Sequence, residues 1–309
     1  MSAVTNTNTR KKKKRKSQAP VALVYFITVL IFMGLLATLS IYLLKEFNII
    51  NDKDGDDEVT TKTSFNNFYA RVNSKGVLAD CAFVRIEPDT GKILVVPISA
   101  MTVSAKEKSK TFRDVFETSG MTGLTSAVCE TYGVTVDNYL SLTNDAFERV
   151  ADIFGGITYT PEEELYYLSQ ENNENDISIS KGELVNLSGR QIRLIFQYPL
   201  FASGKQGNID FMGLALSRLI NNAFQQANIT IDNLDNIYSI ITENSDTDLT
   251  SDDFNLQKSF VKEMLASGLS PAEQMIPRGT WSENDESFEV SSEFTTELKN
   301  RIEGTTETK

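Results

Sequence analysis

Residues 132–161 read YGVTVDNYLSLTNDAFERVADIFGGITYTP, and this stretch decides the fold. The run Asn138–Leu142 has the length and composition of a short strand. After it, apolar residues recur at helical spacing from Asp145 to Phe154, and the Gly155-Gly156 pair that follows would end a helix. Ile157–Thr160 then reads as a second strand. This succession predicts an α/β domain, in which helices cover both faces of a central mixed sheet in three α/β/α layers.

A strand–turn–strand between residues 81 and 98 gives the second clear signal. CAFVRIE (81–87) and KILVVPI (92–98) are rich in residues that favour strands, and the Pro-Asp-Thr-Gly sequence between them has turn chemistry. The apolar run Ile93–Val96 is typical of a strand that is buried on both faces. We expect the helix at 145–154, capped by Thr143 or Asn144, to pack its apolar face, through Phe147, Val150 and Phe154, against the sheet that includes this strand.

Weaker patterns complete the domain, which we place at residues 65–303. We predict a helix that carries Leu124, Ala127, Val128 and Thr131 and ends at Gly133, followed by a polar loop at 169–186 and a strand at Ile192–Phe196. Two further helices are expected at Phe211–Phe224 and Ser251–Ala266, and the second is capped at Thr250 and ended by Gly268. A hairpin of Met275–Trp281 with Ser287–Val290 then leads to a last helix with Phe294, Leu298 and Ile302. A disordered tail is expected at 304–309.

The N-terminal part differs from the rest in charge and hydropathy. Val21–Leu44 carries no charge, and a helix of that length spans about 36 Å, enough for a bilayer core of about 30 Å. A cleaved signal peptide is the alternative, although its apolar region would be only about 7–15 residues long. The basic run RKKKKRK at 10–16 places the N-terminus in the cytoplasm. We therefore predict a basic cytoplasmic tail (1–20), one transmembrane helix (21–44), an acidic spacer (45–64) and an extracytoplasmic domain.

Composition excludes several kinds of site. The chain has a net charge of −12 and no histidine, which removes the commonest general base, the commonest metal ligand and the Ser-His-Asp triad. It has no P-loop and no dinucleotide-binding glycine motif. A basic run beside an apolar span is explained by membrane topology, so we expect the membrane, and not nucleic acid, as its partner. Cys81 and Cys129 could pair in an oxidising compartment or remain buried thiols.

Four segments together resemble the extracytoplasmic domain of the LytR-CpsA-Psr family. They are IEPDTGKILVVPIS (86–99), the stretch 132–161, LSGRQIRLIFQY (187–198) and GKQGNIDFMGLAL (204–216). The resemblance lies in the order and spacing of strands, helices and glycines. It implies a bacterial cell-membrane protein whose relatives move glycopolymers from a polyprenyl-pyrophosphate carrier to the cell wall. They do so with clustered arginines and aspartates and a divalent metal ion.

The resemblance also implies where those arginines and aspartates would fall. The positions hold Ala79 and Met101 in place of aspartates, and Ala100, Gln197, Pro199, Asn208 and Phe211 in place of arginines. Asp80 is one residue from the metal-binding position, and a slip of one residue turns a strand side chain to the opposite face. It is therefore a weak candidate metal ligand, and we expect no cofactor unless the domain is active, in which case it would need Mg²⁺ or Mn²⁺.

Other basic residues could form a displaced site. A pyrophosphate is normally gripped by bidentate arginines, and loss of one transition-state donor costs about 2.7–4 kcal/mol. The candidates for ligand binding, besides Asp80, are Arg85, Lys110, Arg113, Arg193 and Lys205. Arg193 would share a strand face with Gln197. Each of these residues could equally be an ordinary surface charge.

Three functional interpretations remain open. The first is a membrane-anchored, catalytically degenerate family member that binds a polyprenyl-linked glycan, the wall or an active family partner. The second is an active phosphotransferase with rearranged residues, and the third is an unrelated exterior sensor or scaffold. A basic pocket would favour the second, and an apolar tunnel with an uncharged mouth would favour the first. Absence of both features would favour the third.

Overall fold

The computed structural model describes residues 64–170 and 175–304. The predicted cytoplasmic tail (1–20), the apolar span (21–44), nearly all of the spacer and residues 305–309 lie outside these ranges. Among the described residues, no helix combines the length and the apolar character needed to cross a membrane.

Strands and helices follow one another along the described chain with these bounds. The strands are β1 (Phe65–Val72), β2 (Leu78–Glu87), β3 (Lys92–Ser99), β4 (Asn138–Thr143), β5 (Ile157–Tyr159), β6 (Leu165–Tyr167), β7 (Ile177–Ile179), β8 (Val185–Leu187), β9 (Ala272–Gln274), β10 (Gly279–Trp281) and β11 (Phe288–Val290). The helices are α1 (Phe112–Tyr132), α2 (Asn144–Ile153), α3 (Gly189–Phe196), α4 (Lys205–Gln225), α5 (Ala227–Thr242), α6 (Ser251–Ala266) and α7 (Ser292–Glu303).

The centre of the domain is a five-stranded mixed sheet with the strand order β4-β1-β2-β3-β9. The three middle strands run antiparallel, whereas β4 lies parallel to β1 and β9 lies parallel to β3. Arg71 on β1 is opposite Asp80 on β2, and Asp80 is opposite Ser99 on β3. This register brings the three residues into one row at the end of the sheet where β1 and β3 finish and β2 begins.

Helices cover both faces of this sheet, as predicted. On one face, α1 and α7 pack against Leu94 and Val96 of β3. On the other face, Ile93 and Val95 contact apolar side chains of α4 and α6. The run Ile93–Val96 is therefore buried from both sides, as its continuous apolar sequence predicts.

A second apolar cluster lies beside the sheet, under α2, α3 and α4. Short antiparallel ladders, β5 with β8 and β6 with β7, close over it. Its centre is aromatic: the ring of Phe196 lies 5.3 Å from that of Phe147 and 5.9 Å from that of Phe211. This cluster holds the end of α3 close to the start of α4, and that junction forms one wall of the candidate site.

The predicted strand at Ile192–Phe196 is wrong, because this segment is the helix α3. Ser188 caps the helix, and its side chain and that of Gln191 form a reciprocal capping box. Such a box satisfies backbone N–H groups that a helix would otherwise leave without partners. Arg193 and Gln197 therefore do not share a strand face: Arg193 lies in the last turn of α3, and Gln197 is its C-cap.

One further sequence prediction needs correction, and the structure makes another more specific. The segment 169–186 is not wholly loop, because β7 and the start of β8 lie in it. The helix α2 contacts the sheet that includes Ile93–Val96, as predicted, at strands β4 and β1, and Phe147 also belongs to the aromatic cluster with Phe196 and Phe211. The helix lies at this end of the sheet because β4, which leads into it, is an edge strand three places from β3. Strand β1 and helix α5 were not predicted.

The remaining boundaries agree closely with expectation. Thr143 is the N-cap of α2, and both glycines that follow this helix have positive φ (80° at Gly155 and 66° at Gly156). Thr250 caps α6. The C-terminal hairpin consists of β10 and β11, while β9 just before it joins the main sheet.

Candidate functional site

A cleft of about 360 Å³ lies at the end of the sheet where Asp80 and Ser99 stand side by side. It is bounded by the start of β2, the end of β3, the α3–α4 junction and the turn between β10 and β11. Its lining residues are Ala79, Asp80, Ser99, Met101, Arg113, Phe196, Gln197, Lys205, Asn208, Ile209, Met212, Trp281, Asn284, Asp285 and Glu286. Residues from both termini of the domain therefore meet here.

Asp80 is already paired within the protein. Arg71 donates from Nε to Asp80 Oδ1 at 3.1 Å and from Nη2 to Oδ2, so the guanidinium engages both carboxylate oxygens. Arg71 is only 3% exposed, and its guanidinium lies 6.0 Å from the centre of the Phe196 ring. It also donates to Asn144 at the start of α2. Such a bidentate pair neutralises the one carboxylate on the floor of the cleft.

The two cysteines offer no nucleophile. Both are free thiols, so the disulfide alternative is excluded. Burial raises the pKa of the Cys81 thiol well above its usual value; the Asp80 carboxylate adds to this effect and Arg71 opposes it. Burial likewise raises the pKa of Cys129. Because the thiolate is the reactive form, burial disfavours the reactive form of both cysteines.

At the α3–α4 junction, two of the predicted arginine positions have amide side chains. Asn208 donates from Nδ2 to the carbonyl of Phe196 at 3.0 Å and to that of Tyr198 at 2.8 Å, which ties the end of α3 to α4. Its Oδ1 atom and the indole N–H of Trp281 are buried without a hydrogen-bond partner among the described residues. Gln197 is exposed. The junction therefore presents neutral polar groups to the cleft.

Besides Asp80, two cationic and two acidic side chains line the cleft. Arg113 is set in the first turn of α1, whose N-cap Thr111 forms a capping box with Asp114, and it donates from Nε to the carbonyl of Leu78 at 3.1 Å. Lys205 opens α4. Neither forms an ion pair within the described ranges. Asp285 and Glu286 line the same cleft from the turn between β10 and β11, where Asp285 has a φ of 57°.

The other predicted site residues lie elsewhere. Ala100 and Phe211 are buried, at 2% and 4% exposure, in the core under α1 and in the aromatic cluster. Pro199 is exposed and does not line the cleft. The cations Arg85, Lys110 and Arg193 form ion pairs with Glu87, Glu107 and Glu148, respectively. The structure thus brings together Ala79, Asp80, Met101, Arg113, Gln197, Lys205 and Asn208.

Four residues at the site were not anticipated from the sequence: Arg71, Trp281, Asp285 and Glu286. Arg71 lies on the unpredicted strand β1, and its pairing with Asp80 depends on strand register. The segment SENDE (282–286) has turn composition, which predicts a bend but not the place where the bend docks. No local signal was available for these four.

The donor set does not fit a divalent metal ion. Magnesium and manganese take carboxylate oxygens and water in octahedral sites. Both oxygens of Asp80 accept from Arg71, while Asp285 and Glu286 are on an exposed turn. Throughout 64–170 and 175–304, no three acidic, histidine or cysteine side chains are close enough to share a metal ion.

Behind the cleft, the apolar space is small. A chamber of about 40 Å³ lies between Tyr69, Arg71, Leu142, Phe147 and Met212, little more than the roughly 30 Å³ that one water molecule takes up in the liquid. Burial raises the pKa of Tyr69 to about 12, so its hydroxyl remains protonated. This chamber cannot hold a polyprenyl chain.

Comparison with a family model gives a match to the LytR_cpsA_psr family over residues 83–303. The match covers most of the described domain, including every wall of the cleft except the first residues of β2. None of the curated proteins compared with the chain matches it.

Solved structures share the fold at low sequence identity. A protein described as a transcription regulator from Eubacterium siraeum DSM 15702 superposes with a TM-score of 0.69 at 15% identity, covering 81% of this chain and 99% of its own. TagV of B. subtilis gives 0.61 at 16%, covering 79% and 98%. The structure of TagT bound to LIIa-WTA gives 0.61 at 14%, covering 82% and 94%. These similarities establish the fold.

Proposed function

The chain belongs to the LytR_cpsA_psr family, and from that premise we propose that it is a membrane-anchored extracytoplasmic domain that binds the glycan part of a cell-wall polymer or of its lipid-linked precursor without transferring it. The observation that carries the proposal is the charge of the cleft. Asp80 is neutralised by Arg71, and Arg113 and Lys205 are balanced by Asp285 and Glu286. A pyrophosphate carries several negative charges, and such a balanced site does not hold it by charge.

The groups that remain suit a sugar. Concave sites commonly combine an aromatic surface with a few polar groups that fix the ligand's orientation. Trp281, Gln197, Asn208 and Asn284 supply an indole and three amides at one cleft. The Trp281 N–H and the Asn208 side-chain carbonyl are buried without a partner among the described residues, at a cost of about 1–3 kcal/mol each, and a ligand hydroxyl that reached them would recover it. Hydroxyl groups of a pyranose match these donors and acceptors.

The glycan, and not the lipid, is the part of a precursor that this domain would hold. The chamber behind the cleft is too small for an isoprenoid tail. TagT, which shares the fold, is bound to LIIa-WTA in its structure, and this supports a glycopolymer related to wall teichoic acid intermediates as the ligand class. An active family member would then be a natural partner, because it could receive the polymer that this domain holds.

Anchoring and orientation follow from the N-terminal sequence and the family. Residues 10–16 and 21–44 support a single span with a cytoplasmic N-terminus, and the spacer holds the domain away from the bilayer. Protease added to intact protoplasts should remove everything after about residue 50. Full protection of the domain would show that the orientation is inverted.

One observation favours catalysis as a second candidate. Arg113 and Lys205, two of the six ligand-binding candidates, reach the cleft together and have no carboxylate bound to them in the described part of the chain. They could grip one phosphate. The family match leaves no support for the third interpretation, an unrelated sensor or scaffold whose likeness is architectural alone.

A fluorescence titration separates the two remaining candidates. Trp281 is the single tryptophan of the chain, so its emission reports on the cleft alone. The full-length protein in detergent would be titrated with a neutral wall oligosaccharide and, separately, with inorganic pyrophosphate plus Mg²⁺. We expect the oligosaccharide to change the emission and pyrophosphate to leave it unchanged up to about 1 mM, a weak-binding limit of about −4 kcal/mol. Micromolar binding of pyrophosphate would favour catalysis.

A further inference from the structure

A second groove lies along the C-terminal half of α4. Its volume is about 480 Å³, and it runs between that helix, the edge of β5 and the segment after α6. Arg218, in this groove, is ten positions along α4 from Asn208 in the central cleft, a distance of about 15 Å along the helix axis. The two sites share no lining residue.

The chemistry of this groove differs from that of the cleft. Hydroxyl groups of Thr158, Thr160 and Ser270 and amides of Asn222 and Gln225 line it, together with the guanidinium of Arg218. None of its lining residues is acidic, although the whole chain has a net charge of −12. Glu162 and Glu163 act electrostatically on the neighbouring Tyr159 but do not line the groove.

The floor of the groove is held in place by hydrogen bonds to the backbone. Arg218 donates from Nη1 to the carbonyl of Thr158 at 2.7 Å, and Asn222 donates from Nδ2 to that of Gly156 at 2.7 Å. Asn221 is held by the backbone of Ala272, whose N–H donates to its Oδ1 at 2.8 Å. Ordering these side chains in the free protein lowers the entropy that a ligand must lose on binding.

Arg218 is ready to receive an anion. Its guanidinium makes no ion pair within the described ranges, whereas the exposed Arg149 contacts both Asp145 and Glu243. One N–H group is used by a carbonyl and the others remain free, and a guanidinium has five such donors in a planar fork that matches phosphate or carboxylate. An arginine that is held by a backbone carbonyl, and that makes no ion pair with a described residue, is therefore the charged element of the groove.

We propose that this groove binds an anionic polyol, which is a sugar or polyol chain that carries phosphodiester or carboxylate groups. Arg218 would hold the acidic group, the hydroxyl and amide side chains would hold the ligand's hydroxyls, and Leu184, 72% exposed, would contact its C–H surface. This site goes beyond the proposed function, because neither the cleft nor the groove needs the other in order to bind.

Calorimetry with three oligomers of equal length tests the ligand class. Full-length protein in detergent would be titrated at low salt with oligo(glycerol phosphate), oligogalacturonate and an uncharged malto-oligosaccharide. We expect at least one of the acidic oligomers to bind about tenfold or more tightly than the neutral one, and added salt to weaken that binding. A preference between the two acidic oligomers would identify the acidic group. Equal binding of all three, or no binding at millimolar concentration, would overturn the proposal.

Matched variants locate the site. Gln225 is exposed and forms no hydrogen bond with a described residue, so Gln225→Glu adds a negative charge at constant size. We expect this variant and Arg218→Gln each to weaken binding of the acidic oligomer about tenfold, while the exposed control Arg149→Gln leaves it unchanged. Thermal melting would check that Arg218→Gln, which loses the Thr158 contact, still folds.

The emission of Trp281 keeps this test separate from the proposed function. Binding in the groove should not change that emission, since the tryptophan lies in the cleft. If the acidic oligomer changes the emission and both groove variants bind as the wild type does, the ligand binds in the cleft and the groove proposal is wrong. If the emission of Trp281 stays constant on addition of the acidic oligomer, and both groove variants bind that oligomer more weakly than the wild type does, the groove is the binding site. This result would hold even if the cleft proposal has failed.

Discussion

Arg71 and Asp80 face each other across strands β1 and β2, and the guanidinium of Arg71 holds both carboxylate oxygens of Asp80. Asp80 is one residue from Ala79, the position at which the family resemblance implies a metal-binding aspartate. Its engagement with a buried arginine therefore changes the chemistry of the whole cleft. The Asp80 carboxylate, which could otherwise attract a cation, pairs with Arg71. Arg71 in turn links β1 to β2 through Asp80 and to the start of α2 through Asn144.

The strength of this pair can be measured with a double-mutant cycle. Removing one partner of a buried ion pair leaves the other charge uncompensated and costs about 3–5 kcal/mol. We expect Arg71→Met and Asp80→Asn each to lower the free energy of unfolding by about that amount, and the double variant to lose much less than their sum. Urea denaturation provides the measurement. Single losses below about 1 kcal/mol would mean that the pair does not form in solution.

The packing of α2 predicts a second coupling. Phe147→Ala should lower the free energy of unfolding by about 3–5 kcal/mol, as large core truncations do. Its ring lies 5.3 Å from that of Phe196, and aromatic pairs contribute about 0.5–1.5 kcal/mol beyond burial. A cycle of Phe147→Leu with Phe196→Leu should show this coupling, whereas a cycle with Val96→Ala should show none. Coupling to Val96 in place of Phe196 would mean that α2 packs on β3 and not beside the aromatic cluster.

A network around Glu87 predicts acid sensitivity. Burial by itself raises the pKa of Glu87, but hydrogen bonds from Arg301 and then Arg85 outweigh it and hold that pKa below its usual value. The folded state therefore binds this proton less readily than the unfolded state. The resulting stabilisation is complete above the unfolded pKa of about 4.3 and is lost as the pH falls through the lower folded value.

The variant Glu87→Gln checks this assignment. Its melting temperature should fall less steeply than that of the wild type between about pH 5 and pH 3, because the titrating group is gone. Glu297→Gln serves as the control, since Glu297 is exposed on the same helix as Arg301 and forms no ion pair within the described part of the chain. Identical pH profiles of melting temperature for Glu87→Gln and the wild type would show that Glu87 does not cause the acid sensitivity.

Restoring arginine to the cleft should restore anion binding before catalysis. Met101→Arg with Gln197→Arg suits this purpose, because both side chains line the cleft and Gln197 is exposed. Ala100→Arg is unsuitable because Ala100 is buried, and Asn208→Arg would break two hydrogen bonds that hold the α3–α4 junction. We expect pyrophosphate to raise the melting temperature of the double variant and not of the wild type. An equal rise in both would show that the native cleft already binds it.

Local signals in the sequence predicted much of the fold but little of the site's electrostatics. The strand–turn–strand at 81–98 and the stretch 132–161 were predictable because caps, glycines and apolar spacing all act over a few residues. The segment IRLIF (192–196) looks like a strand, and the decisive capping pair Ser188–Gln191 lies wholly upstream of it. The meeting of Arg71 with Asp80 and of the 282–286 turn with α4 depends on register and on docking between distant segments. Neither has a local pattern.

A transfer assay is the most direct test of the claim that this domain binds a glycopolymer without transferring it. Full-length protein would be incubated with a polyprenyl-pyrophosphate glycan, a cell-wall glycan whose hydroxyl accepts the transferred glycan phosphate, and Mg²⁺ or Mn²⁺, and release of the polyprenyl phosphate as leaving group would be followed by mass spectrometry. A cleft that has neutral side chains in place of several donors, each with a typical contribution of about 2.7–4 kcal/mol to the transition state, should give no turnover above background. Clear turnover by the wild type that Asp80→Ala abolishes would contradict the account and establish the domain as an active transferase.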